Sequence, residues 1–353
     1  MSDSTLRVGL VGYGLAGSAF HAPLISTTPG LRLSAIVTAD PGRRAAAAEA
    51  YPDARLVERA EELWALAGEL DAVVIASPNR THAPLARAAL EAGLAVVVDK
   101  PLTRTAAEGA ELAALAAERG LLLTVYQNRR WDGDFLTARR LIEAGELGRV
   151  LRLESRFDRW RPVPKGGWRE SGDPADVGGL LYDLGSHLVD QALQLFGPAS
   201  EVYAEVHTRR AGLTTDDDVF VALRHAGDVR SHLWMTALAA SAGPRLRILG
   251  DRGAYVKYGL DVQEDALRAG HRPTEPGWGQ EDPASYGTLT ADGEERIVPT
   301  EPGAYQEFYA GFAAALRDGG PAPVDPAGSI ATLEVLEAAR RSAERGEVVR
   351  LSS

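Results

Sequence analysis

The chain has 353 residues, a formal net charge of −11 and no cysteine. That length suffices for two domains with full hydrophobic cores, and the lack of cysteine excludes disulfides, thiolate metal sites and cysteine nucleophiles. The acidic balance disfavours nucleic-acid and anionic-membrane partners, and with no membrane-spanning apolar run or signal-peptide pattern we expect a cytoplasmic protein.

The first third of the sequence alternates strand and helix patterns. Continuous apolar runs, typical of parallel strands covered on both faces, predict strands at residues 7–11, 31–37, 71–76, 95–98 and 121–126. Stretches between them predict helices at residues 18–26, 42–50, 58–67, 83–92 and 106–119. This alternation predicts a doubly wound parallel sheet of the Rossmann type over residues 1–126.

A glycine-rich turn follows the first predicted strand. It reads Gly12-Tyr13-Gly14-Leu15-Ala16-Gly17 and opens a predicted helix, the context in which G-x-G-x-x-G indicates dinucleotide binding. Gly12 allows the tight turn, Gly14 lets a pyrophosphate approach the backbone, and Gly17 lets the helix pack on the strand. The helix N-terminus presents N–H groups to the phosphates.

The end of the second strand favours NADP over NAD. NAD enzymes usually place a carboxylate there for the ribose 2′-hydroxyl, whereas this chain has Thr38, followed by Arg43 and Arg44. A hydroxyl with a guanidinium suits a 2′-phosphate. Asp40 leaves NAD possible, because its carboxylate could serve the 2′-hydroxyl instead.

Three polar loops follow later strands, where ligands bind in open α/β sheets. The first contains Ser77, Pro78, Asn79 and His82; the second is Asp99-Lys100-Pro101; the third runs from residue 127 to 131 and includes Asn128 and Arg130. Pro101 biases Lys100 towards an extended conformation that aims its ammonium at the cofactor crevice. Only three of the 38 basic residues are lysines, at positions 100, 165 and 257. Because the chain uses arginine at nearly all other basic positions, a lysine that remains has a raised chance of being needed as lysine. The alternative is that Lys100 is a solvated loop lysine.

After residue 127 the pattern predicts an α+β domain, residues 127–353, with a mostly antiparallel open sheet for substrate binding and oligomerisation. Alternating runs predict strands at residues 150–159, 201–210, 218–224, 229–236, 245–249 and 254–258, with a hairpin turn at 251–253. Helices are predicted at residues 135–144, 180–196, 305–316 and 329–345, and a surface loop at 270–287. Few helices are available to cover the outer sheet face, so we expect self-association.

The run from Gly178 to Asp190 holds the best catalytic pair of this domain. Asp183 and His187 are four residues apart and share one face of the predicted helix. A carboxylate beside an imidazole favours proton transfer near neutral pH, although a surface ion pair would show the same spacing. Gly178 and Gly179 suit a close backbone approach to a ligand. No metal-ligand spacing is present, so we expect no metal.

Taken together, these strings resemble the Gfo/Idh/MocA oxidoreductase family over essentially the whole chain. The glycine loop resembles its nucleotide loop, residues 77–82 its second cofactor loop, Asp99-Lys100-Pro101 its E-K-P motif with aspartate for glutamate, and residues 178–190 its G-G…D-x-G-x-H-x-x-D segment. Longer strings at residues 128–137, 168–170 and 263–270 are most similar to the family's NADP-dependent scyllo-inositol dehydrogenases.

The resemblance implies a catalytic set of Lys100, Asp183 and His187. His187 would be the general base in oxidation and the acid in reduction, Lys100 would stabilise the reacting oxygen, and Asp183 would orient the substrate. It implies cofactor contacts from Gly12, Tyr13, Gly14, Leu15, Ala16, Gly17, Thr38, Arg43, Ser77, Pro78, Asn79, His82, Asp99, Lys100, Trp168 and Arg169. It implies substrate contacts from Lys100, Asn128, Arg130, Asp183 and His187.

The function that follows is hydride transfer between NAD(P), most simply NADP, and a secondary alcohol of a cyclic polyol such as scyllo-inositol and its keto-inosose. A dehydrogenase for another sugar or polyol, or an NAD-dependent glycoside hydrolase of the same family, is the alternative within the enzymes. A nucleotide-bound sensor without turnover is the alternative outside them. The resemblance also implies a homodimer or homotetramer.

Overall fold

The structure is a computed structural model that describes residues 5–351. These residues form two compact units. The first comprises residues 5–128, 263–278 and 304–330, and the second residues 129–262, 279–303 and 331–351. The first boundary lies close to the predicted division at residues 126 and 127, whereas two later segments group with the N-terminal residues.

The first unit contains a six-stranded, wholly parallel sheet. Its strand order, β3-β2-β1-β4-β5-β6, reverses direction at β1, so β1 and β4 flank the switch point where nucleotides bind in doubly wound sheets. The strands are β1 Leu6–Val11, β2 Leu31–Val37, β3 Arg55–Val57, β4 Ala72–Ile75, β5 Ala95–Asp99 and β6 Leu123–Tyr126. All four residues of β4 are buried, as expected for a central strand covered on both faces.

The helices of this unit largely follow the predicted pattern. Thr105 caps α5 through its side chain, and Gly120 ends that helix in the left-handed conformation at φ +62°. The helices are α1 Ala22–Thr27, α2 Pro41–Ala50, α3 Ala60–Trp64, α4 His82–Glu91, α5 Ala106–Arg119, α9 Gln263–Arg268 and α10 Gln306–Asp318, numbered in chain order. A π-helical turn, Ala16–His21, precedes α1 where the sequence predicted an ordinary helix from residue 18.

The second unit contains a nine-stranded mixed sheet, in which only β7 and β10 pair in parallel. Its order is β14-β13-β12-β11-β7-β10-β9-β8-β15. The strands are β7 Val150–Asp158, β8 Ala199–His207, β9 Asp218–His225, β10 Arg230–Thr236, β11 Leu246–Gly250, β12 Gly253–Lys257, β13 Gly287–Ala291, β14 Glu294–Val298 and β15 Val349–Arg350. The antiparallel register of β11 with β12 confirms the hairpin at residues 251–253.

One face of this sheet carries the core of the second unit. Phe157, Val221 and Met235 are fully buried there, whereas Phe220 and Trp234 on the opposite face are only half-buried. The remaining helices are α6 Gly133–Glu143, α7 Leu180–Asp183, α8 Gly185–Phe196 and α11 Pro326–Arg345, which extends across the boundary of the units. The fold is therefore a Rossmann domain followed by an α+β domain with a mostly antiparallel sheet, which confirms the predicted class.

The sequence analysis was wrong about one helix of this unit and missed several short elements. The single helix predicted at residues 180–196 is two helices, because Leu184 leaves ideal helical geometry at φ −105°. The predicted loop at residues 270–287 is followed at once by β13 and β14, which the sequence analysis missed. Among residues 5–351 no helix has the length and apolar character needed to cross a membrane.

Candidate active site

The glycine loop of the first unit has the geometry that its three glycines predict. Gly12 has a φ of +97°, and a Cβ there would lie 2.7 Å from the carbonyl oxygen of Ala76. A Cβ on Gly17 would collide with the carbonyl of Gly12. At Gly14 a Cβ would meet only the Arg43 guanidinium, 3.7 Å away, among the described residues. Gly12 and Gly17 are thus required by chain packing, whereas Gly14 has no close packing neighbour in the described chain, and the approach of a pyrophosphate to it stays a prediction.

The residues at the end of β2 make hydrogen bonds within their own loop and the neighbouring strand. Thr38 is buried, and its N–H donates to the Val57 carbonyl at 3.0 Å. The Asp40 carboxylate caps α2 by accepting the Arg43 N–H at 2.8 Å. Asp40 is therefore engaged locally, while the exposed Arg43 side chain lies beside Gly14.

His82 connects two of the predicted cofactor loops. One ring nitrogen, Nδ1, lies 2.7 Å from the carbonyl oxygen of Pro101, and Nε2 lies 2.9 Å from that of Ser77. Burial lowers the pKa of His82, and the Asp99 carboxylate opposes that shift. Asn79, in the same loop, is also buried. His82 therefore fixes the loop at 77–79 to the turn that contains Lys100.

Lys100 directly follows β5, at the carboxyl end of the parallel sheet. Its N–H donates to Oδ1 of Asp99 at 2.8 Å, and its peptide bond to Pro101 is cis. Asn128 is buried at the end of this unit's first segment, two residues beyond β6. The predicted cofactor loops thus all lie at the carboxyl ends of this sheet's strands.

In the second unit the predicted catalytic pair spans the break between α7 and α8. Asp183 is the last residue of α7, and His187 is buried in the first turn of α8. The Asp183 Oδ1 lies 3.6 Å from Nε of Arg169, whose guanidinium stacks on Trp168 with its carbon 4.3 Å from the ring centroid. Trp168 and Arg169, predicted as cofactor contacts, are thus placed beside Asp183.

The two glycines before α7 approach the chain's own atoms. A Cβ on Gly178 would lie 2.5 Å from the Ser171 carbonyl oxygen, and one on Gly179 would collide with the Asp216 carboxylate. Asp216 also accepts the Leu181 N–H at 2.7 Å. The interpretation that these glycines admit a ligand was therefore wrong: they admit the 168–171 loop and an aspartate that anchors the start of α7.

Arg130 and Asp190 form a buried, bidentate ion pair. The Arg130 Nε and Nη2 donate to the two carboxylate oxygens at 2.8 and 2.6 Å. Burial raises the pKa of Asp190, and Arg130 opposes that shift. Asp190 lies three residues after His187 on α8, so the pair fixes the helix that carries the histidine. The Arg130 guanidinium, which was predicted to contact substrate, thus already donates two hydrogen bonds to Asp190.

The sequence analysis missed a second group of residues beneath His187. The Phe157 ring lies 6.4 Å from the His187 ring and is flanked by the guanidiniums of Arg129 and Arg245, at 4.8 and 4.6 Å. Arg245 contacts Asp134 at 3.0 Å. The adjacent Asp134-Phe135 string is visible in the sequence, but Arg245 lies more than a hundred residues further on, so no local pattern joins them.

The first unit thus has the dinucleotide-binding fold of nicotinamide-dependent oxidoreductases, and the second unit carries Asp183 and His187, the predicted acid–base pair. Among residues 5–351 no group of three or more histidine or carboxylate side chains is placed to hold a metal.

Comparison with known proteins agrees with this class. Residues 6–127 match the description "Oxidoreductase family, NAD-binding Rossmann fold", and residues 139–351 match "Oxidoreductase family, C-terminal alpha/beta domain", the two halves of one family. The chain belongs to the Gfo/Idh/MocA oxidoreductase family, as the sequence resemblance predicted.

Three relatives cover nearly the full length. The chain is 43% identical over 348 residues to the uncharacterized oxidoreductase YdgJ of Escherichia coli K12, covering 98% of both proteins. It is 37% identical over 351 residues to the scyllo-inositol 2-dehydrogenase (NADP(+)) IolW of Bacillus subtilis 168, covering 98% of this chain and 96% of IolW. The solved putative oxidoreductase yvaA of Bacillus subtilis superimposes with a TM-score of 0.94 at 36% identity over the whole of both chains.

Proposed function

We propose that this oxidoreductase transfers hydride between NADP and a secondary alcohol of a cyclic polyol, with scyllo-inositol and its keto-inosose as the first substrate to test. The observation that carries the proposal is the retention of Lys100 at the end of β5 together with Asp183 and His187 at the α7–α8 break. The similarity to IolW supports the choice of polyol.

The roles of the side chains follow from their chemistry. NADP, when bound, supplies the hydride acceptor, since a nicotinamide can carry a hydride and side chains cannot. His187 takes the hydroxyl proton in oxidation and returns it in reduction. Lys100 donates a hydrogen bond to the reacting oxygen and stabilises its negative charge, and Asp183, held by Arg169, orients the substrate.

NADP rather than NAD is proposed from the end of β2. Thr38 replaces the carboxylate that would bind a ribose 2′-hydroxyl, Asp40 is engaged at the cap of α2, and the Arg43 guanidinium lies by Gly14. A guanidinium binds a phosphate by charge-assisted hydrogen bonds. A cytoplasmic location and a homodimer or homotetramer also stay predictions.

The test is steady-state turnover of a panel of inositols and aldoses with each cofactor. We expect scyllo-inositol to give the highest kcat/KM, and NADP to exceed NAD. Arg43→Ala should lower kcat/KM for NADP by about 10- to 100-fold, the effect of one hydrogen bond to a charged group, with little change for NAD. The exposed Arg32→Ala is the matched control and should change neither.

Three results would contradict the proposal. A clear preference for NAD would refute the cofactor assignment. A higher kcat/KM for an aldose than for any inositol would refute the assignment of a cyclic polyol as substrate. Turnover of an aryl glycoside without net formation of NADPH would indicate a glycoside hydrolase. Cofactor binding without turnover of any compound would indicate a sensor.

A further inference from the structure

Behind the turn that contains Lys100, the first unit holds a buried polar cluster that the proposed reaction does not use. His21 ends the π-helical turn after the glycine loop and is fully buried. Its Nδ1 lies 2.6 Å from the Tyr309 hydroxyl oxygen, and its Nε2 lies 3.9 Å from Oδ1 of Asp99. The imidazole packs on the Tyr126 ring with centroids 4.4 Å apart. Residues from the glycine loop, β5, β6 and α10 thus meet at one imidazole.

The protonation of this cluster follows from its burial. Burial lowers the pKa of His21 to about 4, with Asp99 opposing and His82 adding slightly to the shift, so the ring is neutral near pH 7. Burial also raises the pKa of Tyr309 well above its usual value, so its hydroxyl keeps its proton. The nearby Asp99 carboxylate favours the tautomer with the single ring proton on Nε2, in which Nδ1 accepts from the Tyr309 hydroxyl. The other tautomer would direct the Nε2 lone pair at the carboxylate.

The Asp99 carboxylate oxygen that faces His21 is the same oxygen that accepts a hydrogen bond from the backbone N–H of Lys100. Oδ1 accepts the Lys100 N–H at 2.8 Å and lies 3.9 Å from Nε2 of His21. At that distance the contact with His21 is electrostatic rather than a direct hydrogen bond. Because the ring is neutral, it orients the carboxylate without adding a positive charge beside the lysine.

We propose that His21 is a positioning residue for Lys100: oriented by Tyr309, it holds the Asp99 carboxylate, which fixes the turn that presents the lysine. The inference rests on the proposed function, since Lys100 is catalytic only if that function is right. His82 holds the other end of the same turn through the Pro101 carbonyl. Two buried histidines therefore flank the turn: His21 faces the Asp99 side chain, and His82 contacts the Pro101 backbone carbonyl.

The first test separates positioning from folding by kinetics. His21→Phe keeps the ring packing but removes both nitrogens. We expect kcat to fall about 10- to 100-fold, up to the cost of a displacement of about 1 Å, with the cofactor Kd nearly unchanged. His21→Gln, whose amide can place an N–H where Nε2 stands, should recover part of that loss. Tyr309→Phe, the milder change, should lower kcat in the same direction.

The matched control is His225, a buried histidine whose two ring nitrogens both make hydrogen bonds. Its Nδ1 lies 2.9 Å from the Gly197 carbonyl oxygen and its Nε2 2.9 Å from the Ser231 hydroxyl. His225→Phe should lower stability and leave kcat near the wild-type value. Wild-type kcat in His21→Phe, or an equal loss of kcat in His225→Phe, would overturn the proposal.

A second measurement needs no substrate and so distinguishes failure of this inference from failure of the proposed function. Trace acetylation followed by peptide mapping gives the labelling rate of Lys100 relative to the exposed Lys165 in the same molecule. We expect this ratio to change in His21→Phe and Tyr309→Phe and to stay constant in His225→Phe. An unchanged ratio in all variants refutes the positioning role, even if no polyol is turned over.

Discussion

At the scale of single residues, the proposed function depends on the identity of the cation at position 100. Lys100 directly follows β5 in a chain that uses arginine at nearly all its basic positions. An ammonium is compact, whereas a guanidinium is larger, planar and fixed in charge. A guanidinium here would push the substrate carbon away from the nicotinamide, and a displacement of about 1 Å costs ~10²-fold in rate.

Lys100→Arg should therefore lower kcat nearly as much as Lys100→Met, although it preserves the charge. The measurement is kcat with saturating cofactor, with Kd for NADPH measured in parallel to show that both variants fold. Lys165→Arg, at an exposed position, is the control and should match the wild type. If Lys100→Arg retains activity within a few-fold of the wild type, charge alone matters at this position.

A second residue-scale prediction concerns His21 and acid. Its pKa of about 4 lies below the usual 6.5, so the unfolded chain binds this proton more readily. The stability that the neutral ring contributes is fully present above about pH 6.5 and is lost as the pH falls towards about 4. Between pH 7 and pH 5 the wild type should lose about 2 kcal/mol more free energy of unfolding than His21→Phe.

Urea unfolding of the two proteins at both pH values measures this difference. The other histidines whose pKa is lowered by burial, His82, His225 and His232, are common to both proteins and cancel in the comparison. Parallel pH dependence of the two proteins would show that His21 does not titrate in this range.

The sequence predicted the structure best at single residues whose surroundings are set by the adjacent chain. The spacing of Gly12, Gly14 and Gly17 predicted a tight turn, a pyrophosphate approach and close helix packing, and the structure has the turn at Gly12 and the packing at Gly17. Gly178 and Gly179 carried no such information, since the atoms that they approach come from the 168–171 loop and from Asp216. A glycine motif within one βα turn is determined locally, whereas the surroundings of an isolated glycine pair depend on distant parts of the chain.

At the scale of elements, α8 depends on one buried ion pair. Asp190 and Arg130 are almost inaccessible to solvent, with side chains 2% and 13% exposed. Removing one partner of such a pair leaves a buried charge uncompensated, which typically costs about 3–5 kcal/mol. Asp190→Ala should therefore destabilise the protein by about that amount and, through the position of His187, lower kcat.

The control is the exposed pair Arg230–Asp228, with side chains 44% and 67% exposed. Arg230→Ala should cost less than about 1 kcal/mol. Replacing both members of the buried pair, as in Arg130→Met with Asp190→Leu, should recover most of the stability. A loss of stability in Asp190→Ala as small as in Arg230→Ala would contradict the role assigned to the pair.

Elements were predicted well where the pattern is long and local. The continuous apolar runs of β1, β2, β4 and β5 and the capped α5 required no tertiary information. The break at Leu184 could not be predicted, because the Asp216 carboxylate that binds the Leu181 N–H lies 35 positions away. Short strands such as β3, with three residues, have too few positions to show a period.

At the scale of the whole molecule, the sheet of the second unit presents a broad outer face. Nine strands about 4.8 Å apart give a face about 40 Å wide, enough for a stable interface of about 800 Å² per partner. Phe220 and Trp234 lie on it half-buried, with their ring centroids 5.1 Å apart, and the Arg156 guanidinium stacks on Trp234 at 3.9 Å. Aromatic residues and arginine are enriched in interfaces.

We therefore predict that the protein self-associates through this face, as a homodimer or a homotetramer. Light scattering at micromolar concentration should give a mass of at least twice 37.6 kDa.

The variant Trp234→Glu tests whether this face forms the interface. Because each copy would bring the same aromatic patch to the interface, this variant should place like charges at a desolvated contact and shift the mass towards the monomer. Val163→Glu, at a position 74% exposed and outside the sheet, is the control and should leave the mass unchanged. A wild-type mass of 37.6 kDa across this concentration range would refute self-association, and an unchanged mass in Trp234→Glu would place the interface on another surface.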